Sequence, residues 1–531
     1  MIPTAWNSSR RLVPRWRSLS ATLRSQELAL PLRGGHEAYD NGDFVAKLER
    51  WRLSPGLVTA AELLEASIVE GRESEAVSAA RRLVTIDQDA APLIRQQAAA
   101  LLVRTGNAQD VPSDVIVRES HAAQPRYYTR INPRDPLAWV ELSLHQTISG
   151  HPEAALRSMK VALSLAPENR HVLRSAARLF LHTGDPERAH DLIARAAPTG
   201  GDPWLIASEI ALAQVADCRS RFIKSGMQIL KGGSHSARQL TELAAAVGTE
   251  ELLSGNRRRA RKDFVQSLID PTGNALAQTE WATPEFGHDF VPVARLKSTL
   301  EPAEAQAFHL YRTGHFRYVA DVCWSWASAD PFSIRPYEFG AATAGFIEQY
   351  HKAVRLAERG LELRPDAPEL LNSAAYALAS LGRVEEASKM LDRLGSPDDD
   401  RLKCWAAANR GLVAFRAGNE ELGKAFYRQS IEGYAKAGFA ELSARARIYL
   451  AREAVLARSP DAGDLLGQAQ KAMKPFDKVE SVITLNRVIQ LSQHVRTKDH
   501  LATPGRSDLA PDPAPPPTPA VSLPEQARGG D

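Results

Sequence analysis

Hydrophobic residues recur at three- and four-residue spacing along almost the whole chain between residues 33 and 495. This spacing is typical of amphipathic helices, and the runs of β-branched residues are too short to predict strands. Short breaks interrupt the pattern at intervals of about 34 residues, for example from Gly150 to Gly184 and from Pro331 to Pro365. The pattern therefore predicts an array of repeated helix pairs rather than several independent domains.

The clearest helix pair begins near Pro136. Its predicted inner positions hold both large and small residues, and a glycine separates the two helices: Trp139, Leu142, Ser143, Gln146, Gly150, Ala155, Met159 and Ala162. The small Ser143 and Ala155 let the two helices approach closely, while larger neighbours fill the remaining space. Gly150 supplies the positive φ that ends the first helix, and Pro167 ends the second.

The same arrangement returns in the unit led by Leu173 and in three consecutive units within residues 301–394. It resembles the tetratricopeptide repeat family, strictly over residues 136–198 and 301–394 and loosely over the rest of residues 33–495. The resemblance implies an all-α fold, a right-handed α-solenoid whose first helices line a concave groove. It also implies a non-enzymatic scaffold that holds a peptide or a partner protein in that groove.

Composition divides the chain into six predicted segments. They are a basic disordered arm (1–30), degenerate helical repeats (31–106), an irregular insertion or linker (107–134), a first subarray (135–298), a second subarray with a C-terminal capping helix (299–496) and a proline-rich disordered tail (497–531). Eight of the 33 prolines lie between Pro504 and Pro524, where they remove backbone donors and prevent helix formation. A second irregular stretch is expected at residues 282–294.

Charge and cysteine content narrow the class of protein. The 66 basic and 63 acidic residues leave a net charge of +3, which argues against a chain-wide footprint for nucleic acid. Cys218, Cys323 and Cys404 are too few and too scattered for a disulfide framework or a four-ligand zinc site. No apolar run is long enough for a membrane span. Few, scattered cysteines are typical of reduced thiols, so a cytoplasmic protein is expected. The excess of arginine over lysine is typical of a GC-rich bacterial genome. The arginine-rich, acid-free start is also similar to a mitochondrial presequence.

The sequence contains only incomplete versions of known catalytic motifs. Residues 418–425 have the glycine and lysine spacing of a phosphate-binding loop, but Ala425 stands where a serine or threonine would bind magnesium. Gly418 and Gly423 already occupy repeat positions, which favours a structural role for both. The glycines at 232–233 are expected in a loop between helices. We therefore predict no enzyme activity, no cofactor and no metal site.

Polar residues on the predicted first helices are the candidate partner-binding residues. They are His171, Arg174, Arg178, His182, Asn372 and Tyr376. Arg174 and Arg178 are similar to part of the clamp with which some tetratricopeptide repeat domains hold C-terminal carboxylates, although the companion asparagines are absent. Asn372 and Tyr376 are expected to hydrogen-bond a peptide backbone. The alternative for each residue is a solvated groove without a ligand.

A dense basic run follows Gly255 and comprises Arg257, Arg258, Arg259, Arg261 and Lys262. One interpretation is a solvated helix surface. The alternative function is a nucleic-acid-associated regulator that uses this run and the basic arm to contact phosphates. No aromatic residues interleave with the run, which argues against recognition of single strands.

Overall fold

The computed structural model describes residues 12–16, 42–70, 72–85, 105–111, 132–287, 290–299 and 301–501, together with short stretches between residues 95 and 130. Regular structure in these residues is helical, as predicted, and no strand occurs among them. None of the helices that they form is long and apolar enough to cross a membrane. The α-helices are, in chain order, α1 (Gly42–Leu53), α2 (Leu57–Glu70), α3 (Val77–Thr85), α4 (Pro136–Ile148), α5 (Pro152–Leu165), α6 (Arg170–His182), α7 (Pro186–Arg195), α8 (Pro203–Val215), α9 (Ile223–Gly232), α10 (Ala237–Leu253), α11 (Arg257–Ser267), α12 (Gly273–Ala282), α13 (Val293–Ser298), α14 (Ala303–Arg312), α15 (Phe316–Ala329), α16 (Arg335–Phe346), α17 (Tyr350–Leu363), α18 (Pro368–Ser380), α19 (Val384–Leu394), α20 (Asp400–Arg416), α21 (Glu420–Lys436), α22 (Ala440–Leu456), α23 (Ala462–Met473) and α24 (Val479–Leu501).

The chain forms two compact units, Met1–Ser443 and Ala444–Asp531. In the second unit, the last turns of α22 pack with α23 and α24 around a buried cluster that includes Ile448, Leu466, Met473 and Val488. Arg445 fixes α22 to α24 by donating a 2.8 Å hydrogen bond to Ser481 Oγ. The subarray boundaries that the sequence predicts at residues 134 and 298 stay predictions.

Glycines in the left-handed conformation separate the two helices of a pair. Gly150 has a φ of 74° and Gly184 a φ of 80°. The next backbone N–H in each case reaches back across the helix end, from His151 to the Gln146 carbonyl and from Asp185 to the Phe180 carbonyl. Such bonds satisfy carbonyls that would otherwise lack a partner at the end of the first helix. The prediction that glycine ends the first helix is confirmed.

Small residues allow the helices of a pair to approach closely. Ser143 Oγ donates a 2.8 Å hydrogen bond to the carbonyl of Ala155, and these are the two positions at which the sequence predicts the closest approach. In a later pair, a Cβ added to Gly340 would lie 3.0 Å from the Cβ of Cys323 and 3.0 Å from Leu356. Cys323 is therefore a buried packing residue of α15.

Short polar side chains cap the first helices of most pairs. These caps are Asp135, Asn169, Asp202, Ser236, Thr272 and Asp399. In each case a side-chain oxygen accepts a hydrogen bond from a backbone N–H of the first turn, as Asp135 does from Leu137 at 2.9 Å. A cap of this kind contributes about 1 kcal/mol and fixes where the helix begins. The caps thereby align equivalent residues on successive first helices.

The irregular stretches follow the sequence predictions in part. Gly233 has a φ of 66° and ends α9, and Ser236 caps α10, so a loop between helices is confirmed at residues 233–236. Gly232, predicted in the loop, is instead the last residue of α9. A 3₁₀ turn at Thr283–Glu285 and irregular chain precede α13, in the region predicted at 282–294. Most of residues 107–134 and the tail from residue 502 lie outside the described residues. The pair of α8 and α9 is not indicated by the sequence pattern, because α8 is buried on nearly all sides and has no polar face.

Candidate functional site

The first helices of the pairs share one side, which we call the inner surface. It is formed by α4, α6, α8, α10, α12, α14 and α16 and by the turn before α16, and the segment Leu12–Trp16 packs against it. This segment forms neither helix nor strand. Its residues are alternately buried and half-buried, with Leu12, Pro14 and Trp16 buried, as expected of an extended chain. The sequence predicts a disordered arm here, and these five residues differ because their apolar side chains find apolar surroundings.

Apolar contacts hold the two ends of the segment. Leu12 belongs to a buried cluster that also includes Ile206 on α8 and Leu243 on α10. Trp16 is fully buried in a separate cluster with residues of α4 and α6, among them Leu137 and Val172. Burying a side chain of this size contributes about 2–3 kcal/mol. The two clusters therefore fix both the position and the direction of the segment.

Polar contacts hold the middle of the segment. Arg15 Nη2 donates to Glu304 Oε2 at 2.7 Å and to the carbonyl oxygen of Gly273 at 3.3 Å. Asn274 Nδ2 donates to the carbonyl oxygen of Val13 at 3.1 Å. Glu304 is buried and also forms an ion pair with Arg335 at 3.0 Å. Hydrogen bonds to charged groups are stronger than neutral ones, so the Arg15 contact specifies a cation at this position.

Phe332 is the aromatic centre of the inner surface. Its ring centroid lies 5.5 Å from that of Trp16 and 5.4 Å from that of His182. The guanidinium of Arg178 stands 4.6 Å from the same centroid. Aromatic pairs and cation–π contacts at these separations are favourable. Phe332 thus joins the N-terminal segment to two residues that the sequence predicts as partner-binding.

Arg178 and His182 are embedded in this arrangement rather than exposed to solvent. Arg178 Nη2 lies 3.9 Å from Asp330 Oδ2, and burial lowers the pKa of Arg178 from its ordinary value. Burial and, secondly, the charge of Arg178 lower the pKa of His182 to about 4. His182 is therefore neutral at physiological pH. These two predicted partner-binding positions therefore hold an arginine near Asp330 and a neutral imidazole.

Arg174 forms an internal ion pair. Its Nη2 donates to Glu242 Oε2 on α10 at 2.6 Å, and its guanidinium stands 4.9 Å from the Trp204 ring centroid. Glu242 Oε1 also accepts a hydrogen bond from Thr272 at 3.2 Å. The side chains of Arg174 and Glu242 are 11% and 4% exposed, so little of this cation remains for a carboxylate ligand. Its role in partner binding stays a prediction.

The other three candidates occupy different environments. His171 is half-buried at the start of α6. Asn372 is fully buried, and its side-chain and backbone oxygens accept hydrogen bonds from Asn409 Nδ2 at 2.8 and 2.9 Å. These bonds connect α18 to α20, so Asn372 serves the contact between first helices. Tyr376 is half-buried, with its ring centroid 6.0 Å from that of Tyr350.

The basic cluster of α11 is exposed to solvent along its length, which both interpretations of the run require. Arg259 lies 3.9 Å from Glu251, with its side chain 76% exposed. The guanidinium of Arg261 stands 5.2 Å from the Phe290 ring centroid. The five cations of α11 are therefore accessible to an anionic surface.

A thiol lies close to a histidine and a carboxylate in the loop after α8. His190 Nε2 is 3.0 Å from Glu209 Oε1, and its Nδ1 is 3.6 Å from Cys218 Sγ. Burial and the charge of Glu209 raise the pKa of the Cys218 thiol. A raised pKa keeps the thiol protonated, whereas nucleophilic catalysis needs the thiolate.

Two other chemical expectations of the sequence concern phosphate and metal sites. In the incomplete phosphate-binding motif at residues 418–425, Gly423 packs against the Phe415 ring. Among the described residues, no group of three or more histidine, cysteine or acidic side chains is placed so that it could hold a metal ion.

Sequence reasoning missed the residues that organise the inner surface. They are Leu12, Trp16, Glu242, Glu304, Asp330 and Phe332. The arginine content of the arm hides the apolar spacing of Leu12, Pro14 and Trp16, which is a signal for a docked extended segment. The acidic partners carry no such signal, since their neighbours come from distant repeats.

Comparisons with known proteins bear on the repeated helix pairs. Residues 348–410 match a model of the tetratricopeptide repeat. No curated protein sequence matches the chain. The crystal structure of yeast Tom70 is 12% identical with a TM-score of 0.31, and the match covers 84% of this chain and 97% of that one. The Cut9–Hcn1 structure is 13% identical with a TM-score of 0.35, over 88% and 94% of the chains. The human IFIT1 dimer with m7Gppp-AAAA is 12% identical with a TM-score of 0.36, over 71% and 94%.

Three observations indicate tetratricopeptide repeats: the repeated helix pairs, the glycine turns within them and the match to the family model. Small residues lie where the two helices of a pair meet, and polar caps begin the first helices. The family model extends from α17 into α20 and overlaps residues 301–394, one of the two regions in which the sequence follows the repeat pattern most strictly. Residues 348–410 of this chain are therefore identified as tetratricopeptide repeat, and helix pairs outside that segment have the same glycine turns and polar caps.

Proposed function

We propose that this protein is a non-catalytic scaffold whose inner surface binds an extended segment of a partner protein. One observation carries the proposal: the chain's own segment Leu12–Trp16 lies on that surface through side-chain contacts. A surface that accepts one extended segment in this way is suited to accept another. Tetratricopeptide repeats commonly mediate contacts between proteins, which supports the same class of function.

The energetics favour an exchangeable ligand. Burial of Leu12 and Trp16 contributes about 4–6 kcal/mol in total. Fixing the backbone of five residues costs about 5–10 kcal/mol. The ion pair of Arg15 with Glu304 adds a further favourable contribution. Because these contributions are of similar size, we expect the docked segment to exchange reversibly with a partner segment that makes further favourable contacts.

A random-peptide display library, selected against the purified full-length protein, tests the proposal. The selection uses a Trp16→Ala chain, so that the native segment does not cover the surface. Enriched peptides are then measured against this chain with Phe332→Ala added, which alters the inner surface. The matched control is Arg359→Ala, which removes an exposed arginine paired with Glu362 on a second helix.

The expected result is a set of peptides whose affinity falls at least about tenfold, or 1.4 kcal/mol, with Phe332→Ala and is unchanged with Arg359→Ala. Circular dichroism confirms that each variant keeps its helix content. The absence of enriched peptides, or peptides that bind the Phe332→Ala chain equally well, would contradict the proposed scaffold function.

A second candidate function is binding of nucleic acid through α11, and the exposure of all five of its cations favours it. Contacts of this kind release counterions, so the affinity should fall steeply with salt. A gel shift with a short duplex at about 50 mM salt is the test. Replacing Arg257 and Arg258 with alanine should lower the salt slope by about 2. No shift at this salt concentration would remove the candidate.

A further inference from the structure

The segment Leu12–Trp16 contacts residues far away along the chain. Arg15 and Glu304 are 289 positions apart, and the donor Asn274 is 261 positions from Val13. The contacts come from several first helices, so the segment lies where a ligand of the whole array would lie. Covalent connection to α1 does not impose this position, because the chain between residues 17 and 41 is long enough to reach many other surfaces.

Each residue of the segment is held by a contact of a different chemical kind. Leu12 fills an apolar cluster, Arg15 meets a buried carboxylate, and Trp16 lies against an aromatic ring. At Val13 the inner surface contacts the backbone carbonyl, through Asn274. A chain that reproduces these side-chain contacts has leucine at the first position, arginine at the fourth and tryptophan at the fifth, which is a Leu-x-x-Arg-Trp pattern. Pro14, at the third position, is buried as well.

The fit of the segment is incomplete in one respect. Trp16 Nε1 is buried, and none of the described residues accepts its hydrogen bond. Asp330 Oδ1, two residues from Phe332, is likewise buried without a hydrogen-bond donor among them. A buried polar atom without a partner lowers affinity. A ligand that donates a hydrogen bond to Asp330 Oδ1, or whose own tryptophan N–H has an acceptor, would bind better than the chain's own segment.

We infer that Leu12–Trp16 is an intramolecular competitor, which covers the inner surface until a partner segment with the Leu-x-x-Arg-Trp pattern displaces it. The inference rests on the proposed function. It adds the residue pattern of the partner segment and states that Leu12–Trp16 controls access to the inner surface. A tethered segment acts at a high effective concentration, so it blocks weak ligands even when its own affinity is modest. Binding of the partner then requires either high affinity or high concentration.

The test uses a fluorescein-labelled synthetic peptide of residues 8–20, titrated into the full-length protein and followed by anisotropy. The receptor is either the wild-type chain or a Leu12→Ala/Trp16→Ala chain. The peptide is expected to bind the double variant at least about tenfold more tightly than the wild type, because the competitor is weakened. A peptide that carries Trp16→Ala is expected to lose most of this binding.

Because loss of two buried side chains can also disturb the fold, Arg15→Glu provides a second receptor. This change leaves the apolar contacts of Leu12 and Trp16 in place. It puts a second carboxyl group next to that of Glu304, so the two negative charges repel each other. It should also tighten binding of the wild-type peptide. Equal affinity for the wild type and both variants, or no binding to either variant, would overturn the inference. So would a wild-type dimer in light scattering that Leu12→Ala/Trp16→Ala abolishes, since the segment would then occupy a second copy.

The two proposals fail in distinguishable ways. If display selection gives peptides that depend on Phe332 but share no Leu-x-x-Arg-Trp pattern, and the 8–20 peptide does not bind, only the competitor is excluded. If no peptide depends on the inner surface, the scaffold function fails as well.

Discussion

Arg15 and Glu304 form a hydrogen-bonded ion pair with an N–O distance of 2.7 Å, although 289 positions separate them in the sequence. Glu304 is 2% exposed and is shared with Arg335 on α16. The pair therefore ties the N-terminal segment to the first helices of two neighbouring repeats. It makes a short stretch of an arginine-rich arm part of the folded unit.

Glu304→Gln should loosen the N-terminal segment. The change removes the charge that Arg15 and Arg335 share, while it keeps the size of the side chain. We expect tryptic cleavage after Arg15 to become about tenfold faster, equivalent to 1.4 kcal/mol of lost docking. Limited proteolysis with mass spectrometry measures the rate. The control is Glu362→Gln, which alters an exposed ion pair on α17 and should leave the cleavage rate unchanged. An unchanged rate in Glu304→Gln would show that the Arg15–Glu304 ion pair does not hold the segment in place.

Arg174→Ala should destabilise the fold, because it leaves Glu242 buried without its cation. Removing one partner of a buried pair costs about 3 kcal/mol or more. We therefore expect a lower midpoint of thermal unfolding, followed by circular dichroism. Arg174→Met combined with Glu242→Leu should recover most of the loss, since no charge remains buried. A single variant as stable as the wild type would show that the pair carries little energy.

His182 should make stability sensitive to acid. The folded chain holds its pKa at about 4, against an ordinary value of 6.5, because of burial and Arg178. A lowered pKa contributes stability that is complete above pH 6.5 and is lost as the pH falls towards 4. His182→Gln should reduce the loss by about 1–2 kcal/mol, after allowance for partial exposure. Thermal unfolding measured between pH 6.5 and pH 4 tests this prediction. The control is His351→Gln, because His351 is exposed. Equal acid sensitivity in the two variants would show that His182 is not the source of the acid sensitivity.

Gly360→Ala should destabilise the packing of α17. A Cβ at this position would lie 2.5 Å from Leu370 and 2.8 Å from Tyr337 Cβ, so neighbouring helices must move apart. Overpacking of this kind costs about 1–3 kcal/mol. Gly232→Ala is the matched control, because no atom lies within 4 Å of a Cβ there. Thermal unfolding should separate the two variants, and equal midpoints would argue against tight packing at Gly360.

The sequence predicts the helix pairs well because their determinants are local. The Gly150 turn, the Asp135 cap and the contact of Ser143 with Ala155 all arise within one repeat. Such features recur with the period of the repeat and can be read from it. Hence the fold class and the positions of the best helix pairs follow from the pattern alone.

The chemistry of the inner surface could not be predicted in the same way. Arg174 has the correct position on a first helix, but its partner Glu242 lies 68 positions away on another repeat. The sequence predicts Arg174 as a partner-binding residue, whereas its buried ion pair with Glu242 predicts a contribution to stability. The position of Trp16 depends on Phe332, again in a distant repeat. Contacts between distant repeats have no period, so only the structure reveals them.

Fluorine NMR of the full-length protein labelled with 5-fluorotryptophan, with and without excess unlabelled peptide of residues 8–20, tests the central claim most directly. Trp16 is fully buried, with its ring centroid 5.5 Å from that of Phe332. Its signal is the one that Trp16→Phe removes. We predict that this signal is shifted from that of a solvent-exposed tryptophan in the protein alone, and that the peptide moves it to the exposed position. A signal at the exposed position without peptide, or a shifted signal that saturating peptide does not change, would contradict the account.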